Sequence, residues 1–373
     1  MDWLLSILEI VLPFLVVLTL LVFVHELGHY WVARRNGVKV LIFSVGFGPE
    51  LFGRTDRSGT RWRVSALPLG GYVKMLGDMD ATSRPDDESL QDLDEEERQQ
   101  AFPAKSLGAR AAIVAAGPVA NFLFAWILLA LLFVIAGRPV TPAVITDVIG
   151  GSAAAEAGLQ VGDRITDING SSIERFEEVQ RAVQLNLDQP LRMTVERNGE
   201  LVALTARPTI IEEVDANGCT IQLARLGIRA TGRDVEHLGP FEGLWVSAAE
   251  TWSLARDTLA GVWQIIVGTR STDELGGPIR IAEMSGQVAQ IGLVSLIFFM
   301  ALLSVNLGLI NLFPIPMLDG GHLLFYAFEA VRGRPLGPRA QDIGFKIGLG
   351  LVLSLMVFAT VNDILRIDAC VGG

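Results

Sequence analysis

Val24-His25-Glu26-Leu27-Gly28-His29 decides how this chain is read. His25 and His29 are four residues apart, so a helix projects both imidazoles from one face, where they can grip one metal ion. Glu26 stands beside them, placed to take a proton from a metal-bound water. The setting is unusual. From Val11 to Val24 there is no charge, and Pro13 is the only helix breaker. Two histidines and a glutamate at the end of such a run are costly in lipid, which by default marks a functional site. The pattern itself is short enough to arise by chance, and a pair of satisfied interfacial histidines would look the same. Its weight has to come from the rest of the chain.

The apolar run around the motif extends from about Leu4 to Val32, about 45 Å if helical, which exceeds a bilayer core. Met1-Asp2-Trp3 gives neither the basic start nor the small-residue cleavage site of a signal peptide, so the run reads as a retained spanning helix. Arg34, Arg35, Lys39, Arg54, Arg57, Arg61, Arg63 and Lys74 follow it and mark the cytoplasmic side. The N-terminus then faces outward, and the His-Glu-His cluster lies toward the cytoplasmic leaflet. Three further apolar runs, about Ala111–Ala136, Ile291–Phe313 and Ile343–Val361, are long enough to span. Arg332, Arg334, Arg339 and Lys346 mark the cytoplasmic side again between the last two. Four spans with both termini outside satisfy the whole charge bias.

Composition agrees. Of 373 residues 50% are hydrophobic, and the mean hydropathy of +0.43 is too high for an ordinary soluble protein once the uncharged runs are counted. A net charge of -11 excludes a nucleic-acid binder, which needs a basic face. Two cysteines, Cys219 and Cys370, make no disulfide framework and no thiolate zinc site; two unpaired thiols or one optional bridge remain open.

Between the spans the pattern changes. Residues 38–73 alternate β-branched or aromatic residues with glycines and read as short strands, with Asp56-Arg57-Ser58-Gly59 a hairpin tip. Such a sheet could lend an edge to an extended peptide. Residues 78–100 are dense in Asp and Glu and read as a solvated loop. Pro142 to Pro208 carries strands, a short helix from Ser152 stopped by Gly158, a helix from Phe176 to Leu187 and a hairpin from Leu191, which is an α+β module. Phe241 to Val267 intersperses tryptophans with charges and reads as an amphipathic helix lying on the membrane or on its own domain. The expected order is therefore 1–34 first span, 35–110 cytoplasmic β-region and acidic loop, and 111–137 second span. Then come 138–210 the outer α+β module, 211–290 an outer connector with amphipathic helices, and 291–322 the third span with its Pro-rich turn. A cytoplasmic loop at 323–342, a fourth span at 343–364 and a tail at 365–373 complete it.

The third span ends in Asn311-Leu312-Phe313-Pro314-Ile315-Pro316-Met317-Leu318-Asp319-Gly320-Gly321-His322, where the prolines must break the helix. It descends in the same direction as the first span, so Asp319 arrives at the depth of His25 and His29. Two imidazoles, one carboxylate and an open position for water make a catalytic rather than a structural zinc arrangement. His322 is the rival third ligand; Asp319 is preferred because an unpartnered acid is costly at that depth.

Taken together, His25-Glu26-Leu27-Gly28-His29 and the Asn311–Gly320 string resemble the paired signature of the site-2 protease family of intramembrane zinc metalloproteases. Gly117-Pro118-Val119-Ala120-Asn121, read as a turn opening the second span, is a further family feature, and the nearest group is that of the bacterial regulator-of-sigma-E proteases. Ala157-Gly158-Leu159-Gln160-Val161-Gly162-Asp163-Arg164-Ile165, followed by Ile168-Asn169-Gly170, resembles a PDZ domain of the bacterial protease type. The fold this implies is a polytopic α-helical membrane protein with a membrane-associated β-sheet and one inserted α+β PDZ domain. The best-known members carry two tandem PDZ modules, and 209–238 is too short for a second. The resemblance implies zinc on His25, His29 and Asp319, Glu26 as general base, and Asn311, Pro314 and Pro316 holding an unwound substrate helix. It also implies that the sheet ending in Leu69-Gly70-Gly71-Tyr72-Val73 pairs with substrate backbone. The implied partners are the lipid bilayer, transmembrane segments of single-span proteins (an anti-sigma factor already cut outside, or remnant signal peptides) and a peptide C-terminus at the PDZ domain. The implied location is the bacterial inner membrane. A membrane scaffold with a vestigial site would leave some expected position unfilled, and a metal transporter would need more polar groups along its spans than Asn121, Asn306 and Asn311.

Overall fold

Buried positions on the first helix, α1 (Asp2–Arg35), are Val17, Leu21, Val22, His25, Glu26 and Ala33, while Val11, Leu12, Val16, Leu20 and Trp31 are exposed. Arg34 and Arg35 favour its C-terminus, and Gly37, at φ 69°, ends it while Val38 N–H returns to the Ala33 carbonyl. The computed structural model describes residues 2–78, 93–187, 189–214, 220–232, 234–270, 272 and 276–371. Most of the acidic stretch after Asp78, and Cys219, lie outside the described residues.

After α1 come strands β1 (Val40–Thr55) and β2 (Arg61–Met75), then helices α2 (Glu95–Gln99) and α3 (Leu107–Ile135). The next elements are β3 (Arg138–Val140), β4 (Asp147–Val148), α4 (Ala153–Glu156), β5 (Arg164–Ile168), β6 (Ser171–Ser172), α5 (Phe176–Leu185), β7 (Leu191–Arg197) and β8 (Glu200–Ala206). They are followed by β9 (Thr209–Val214), β10 (Thr220–Arg225), β11 (Ile228–Arg229), β12 (Asp234–Glu236) and α6 (Pro240–Ile266). Four helices close the chain: α7 (Pro278–Ile291), α8 (Leu293–Leu312), α9 (Asp319–Arg332) and α10 (Pro338–Val371). Among the described residues four helices are long and apolar enough to cross a membrane, at 9–35, 107–135, 293–312 and 339–366.

The chain divides into two compact units. The first comprises Met1–Leu129, Ser247–Ala255 and Gly277–Thr360. Its sheet is two long antiparallel strands that bend back on themselves: residues 40–45 of β1 pair with 71–75 on one side and 61–64 on the other, while 50–55 pair with 61–65. Gly46, Gly48 and Gly70 have φ between 87° and 125° at the bends. The hairpin tip at Asp56–Gly59 forms as expected. The Asp56 carboxylate accepts from the Ser58 hydroxyl and N–H, from the Thr60 N–H and from the Trp62 indole. Those donors, the Ser58 hydroxyl first, hold its pKa down to about 2. Phe43, stacked on Trp62 at 4.3 Å, anchors the sheet to Tyr30 of α1. Burying such a ring is worth about 1.5–3 kcal/mol.

Three expectations about the spans and the segments that join them are corrected. The segment Gly117–Asn121 is not a turn opening the second span but lies inside α3, which starts at Leu107 beneath a Ser106 hydroxyl cap. Pro118 removes only one helical N–H, too little to stop an apolar helix already running. The third span ends at the Pro-rich break as expected, helical to Leu312. Residues 323–332, expected as loop, continue α9, which Gly333 ends at φ 68°. The fourth helix likewise runs on through the expected tail to Val371.

The second unit comprises Ala130–Val246, Arg256–Gly276 and Val361–Gly373. Its centre is a sheet of order β6-β5-β7-β8 with Leu191, Met193 and Val195 alternating into the core. Asn198-Gly199, both at positive φ, form the two-residue turn between β7 and β8. The short helix from Ser152, whose hydroxyl caps Ala155 N–H, stops at Gly158 as expected. This core extends past residue 210: Ala224 and Leu226 belong to it, β11 pairs with β4 and β12 with β3. The expected module boundary at 210 falls short because the closing strands β11 and β12 come from the segment after it.

Candidate metal centre and active site

α1 and α3 cross at two glycines. A Cβ on Gly28 would meet the Ala116 carbonyl oxygen at 2.3 Å, and one on Gly117 would meet His29 Nε2 at 2.2 Å and His25 Nε2 at 2.8 Å. Only bare backbone lets the histidines seat against the neighbouring helix. His29 Nδ1 lies 2.9 Å from the Ile113 carbonyl, which can only accept; Nδ1 therefore carries the proton, and Nε2 presents a lone pair. His25 Nδ1 lies 3.1 Å from the side-chain amide of Asn121, which is fully buried.

The third group arrives through the break after α8. Residues 313–318 are not helical, and Met317 takes φ 96°, a conformation unusual for a residue with a side chain. Gly320 and Gly321 let the start of α9 lie on this segment: a Cβ on either would come within 2.4 Å of the Leu312 or Ile315 carbonyl oxygen. Asp319 is the first residue of α9, where its carboxylate also meets the positive end of the helix dipole.

The result is a small triangle. His25 Nε2 and His29 Nε2 are 3.2 Å apart, and Asp319 Oδ2 lies 3.1 Å and 3.5 Å from them. Tetrahedral zinc with ligands at about 2.0–2.1 Å requires ligand atoms about 3.3 Å from one another, so the spacing fits. The Asp319 Oδ2 atom is buried without a well-formed hydrogen bond, as expected of an acceptor aimed at a cation. Among the described residues this is the cluster able to hold a metal.

Glu26 shares a cavity of about 220 Å³ with these three groups. Its wall includes Gly71, Tyr72, Val73 and Met75 of the β2 edge, together with Asn311, Met317 and His322. A Cβ on Gly71 would stand 3.1 Å from Glu26 Cγ, so the strand packs against the Glu26 side chain. His322 is buried at this cavity, its ring 5.3 Å from that of Phe345, and lies outside the triangle. Asn311 lines the cavity while donating to the Leu307 carbonyl at 3.0 Å. Pro314, Pro316 and Gly70 are not part of its wall. Pro316 instead packs on α10, and Gly70 packs under Phe47.

A model of peptidase family M50 matches residues 13–355. The chain belongs to this family. An M50 peptidase is a membrane metalloprotease, in agreement with four spanning-length helices and a metal-ready triangle. A protein of Rhizobium meliloti (strain 1021), provisionally named a zinc metalloprotease, is 49% identical over 98% of this chain and 99% of its own length. The metalloprotease MmpA of Caulobacter vibrioides is 37% identical over 95% of both. The protease RseP of Yersinia pestis is 34% identical over 97% of this chain and 100% of its own. That alignment runs over 459 positions against 373 residues here, so this relative carries sequence that the present M50 member lacks.

Three contributors to the site were not singled out as such from the sequence: Gly117 against the imidazoles, Asn121 on His25, and the strained Met317. Gly117 and Asn121 are four apart in an apolar run, the spacing that puts a small and a polar residue on one helix face. Nothing in the local sequence signals the positive φ of Met317.

Proposed function

We propose that this M50 peptidase hydrolyses peptide bonds within the transmembrane segments of single-span proteins, with His25, His29 and Asp319 holding zinc and Glu26 as general base. The observation that carries this is the triangle of three acceptor atoms opening, with Glu26, into one cavity beneath a sheet edge. Zinc, the metal in the relatives' names, supplies Lewis-acid polarisation of a carbonyl and a bound water with a pKa near about 7. Glu26 takes the proton of the attacking water and delivers it to the leaving amine. A carbonyl in a substrate helix is already hydrogen-bonded, so the bond must unwind before attack. Residues 71–75 offer the backbone groups of an edge strand to replace those lost bonds, and the Asn311 amide faces the same space. Pro314 and Pro316 act by holding the break in α8 rather than by walling the cavity.

The substrates fitting this reading are single-span proteins first shortened on the outer side of the bacterial inner membrane, such as an anti-sigma factor, or remnant signal peptides. The Lys and Arg bias supports an active site near the cytoplasmic face. The α+β unit is read as one PDZ domain that screens substrates by size or binds a new C-terminus. A groove of about 430 Å³ between α5 and residues 223–231 supports a peptide ligand there.

The test is Glu26→Gln, co-expressed with truncated and intact single-span candidates. Expected are retained zinc and accumulation of the truncated substrate; cleavage at the wild-type rate would remove Glu26 and this site from the chemistry.

A further inference from the structure

Asn121 sits in the seam of α3 and α8 with no exposed surface. Its backbone carbonyl accepts from the Ser304 hydroxyl at 2.9 Å, and a Cβ on Gly308 would come within 3.1 Å of the Pro118 carbonyl oxygen and of the Phe122 ring. Small residues at 304 and 308 thus bring the two helices together where Asn121 is anchored. Its side-chain nitrogen lies 3.1 Å from His25 Nδ1, and its side-chain oxygen is buried with no hydrogen bond.

The oxygen and nitrogen of such an amide exchange by a half-turn, and the hydrogen-bond network decides between them. With nitrogen toward His25, Nδ1 must be the acceptor. The ring proton then moves to Nε2 and points into the triangle where a metal has to sit. With oxygen toward His25, Oδ1 accepts the Nδ1–H while the amide nitrogen takes the oxygen's former place, and Nε2 turns its lone pair into the triangle beside that of His29. Only the second arrangement gives two imidazoles of the same tautomer.

We infer that Asn121 is a positioning residue for the metal: its Oδ1 accepts from His25 Nδ1–H, fixing the ring's tautomer and angle so that Nε2 faces His29 Nε2 and Asp319. α3 then orients both imidazoles, His29 through the Ile113 carbonyl and His25 through Asn121. The inference rests on the zinc reading of the site. Outer partners of this kind typically govern metal affinity 10–100-fold.

The experiment is zinc affinity by chelator competition on the full-length protein, with thermal unfolding of the metal-free forms as a second readout. Asn121→Leu keeps the volume and removes the acceptor; a loss of about 10–100-fold in affinity is expected, with metal-free unfolding close to wild type. Asn121→Asp keeps an acceptor toward Nδ1–H and is expected to retain affinity within a few-fold of wild type. Should the leucine variant fail to fold, Asn121→Ser, too short to reach His25, takes its place with the same expected loss. Undiminished affinity in the leucine or serine variant overturns the inference, as does equal loss in the aspartate variant. Wild-type protein that binds no zinc would instead overturn the metal reading on which it stands.

Discussion

A methyl group on Gly117 would fall 2.2 Å from His29 Nε2, inside the space that the metal and its ligands need. In a lone helix Gly→Ala is worth roughly 1 kcal/mol of added stability. Here the two consequences should separate. Gly117→Ala is expected to leave the thermal midpoint of the metal-free protein unchanged or raised, while zinc affinity and proteolysis fall at least tenfold. Chelator competition beside thermal unfolding checks both, and a variant with full zinc affinity would show that the imidazoles do not need this glycine. At this scale the sequence announced the ligands through spacing and cost: two histidines four apart and an acid at matching depth. It did not announce which atoms lie beyond them, because Gly117 and Asn121 matter only through the crossing of two helices distant in sequence. Pro316 shows the same limit from the other side. It belongs to the quoted motif, yet its packing partner is a glycine on the last helix.

At the level of elements, that pairing governs how Asp319 is delivered. A Cβ on Gly348 would lie 1.7 Å from the Pro316 carbonyl oxygen, so α10 can close on the broken segment only where it has no side chain. Gly348→Ala is expected to push α10 off the segment, lowering the thermal midpoint despite the better helix propensity of alanine. It should also weaken zinc binding through displaced Asp319, by more than an alanine at Gly350 in the same helix, where a Cβ meets nothing. Equal behaviour of the two alanine variants would mean that the contact is not structural. The spans, the hairpin tip at Asp56 and the Pro-rich break were legible because each is encoded locally, in hydropathy, turn residues or missing N–H groups. The continuation of α3 through Gly117-Pro118 was not, since an apolar helix supported on both sides tolerates one lost hydrogen bond. Nor was the doubled pairing of β1 with both halves of β2, which no single strand pattern predicts.

For the whole molecule, the two units rest on different physics and should respond to acid differently. The α+β unit carries a buried carboxylate, Asp163, that accepts two hydrogen bonds from the Arg197 guanidinium at 2.7 Å and one from the Gln160 N–H at 2.9 Å. Arg197 also donates to the Gly158 carbonyl, tying β7 to the loop before β5. The guanidinium bonds, ahead of the backbone one, hold the Asp163 carboxyl below its usual range. A carboxylate depressed on folding stabilises fully above its unfolded pKa of about 3.9, and that contribution is lost as pH falls through the lower folded value. Asp163→Asn keeps the shape and removes the charge. It is expected to cost about 1–3 kcal/mol at neutral pH, the range for breaking a charged hydrogen bond that leaves a partly exposed partner. The variant should also lose part of the acid sensitivity below about pH 4. Hydrogen–deuterium exchange on the full-length protein reads this directly, as faster exchange in β7 with unchanged protection in α1 and α3. The ion pair would carry none of this stability if β7 protection at neutral pH were the same in variant and wild type. Loss of protection around His25 and His29 as well would mean that the two units do not unfold separately.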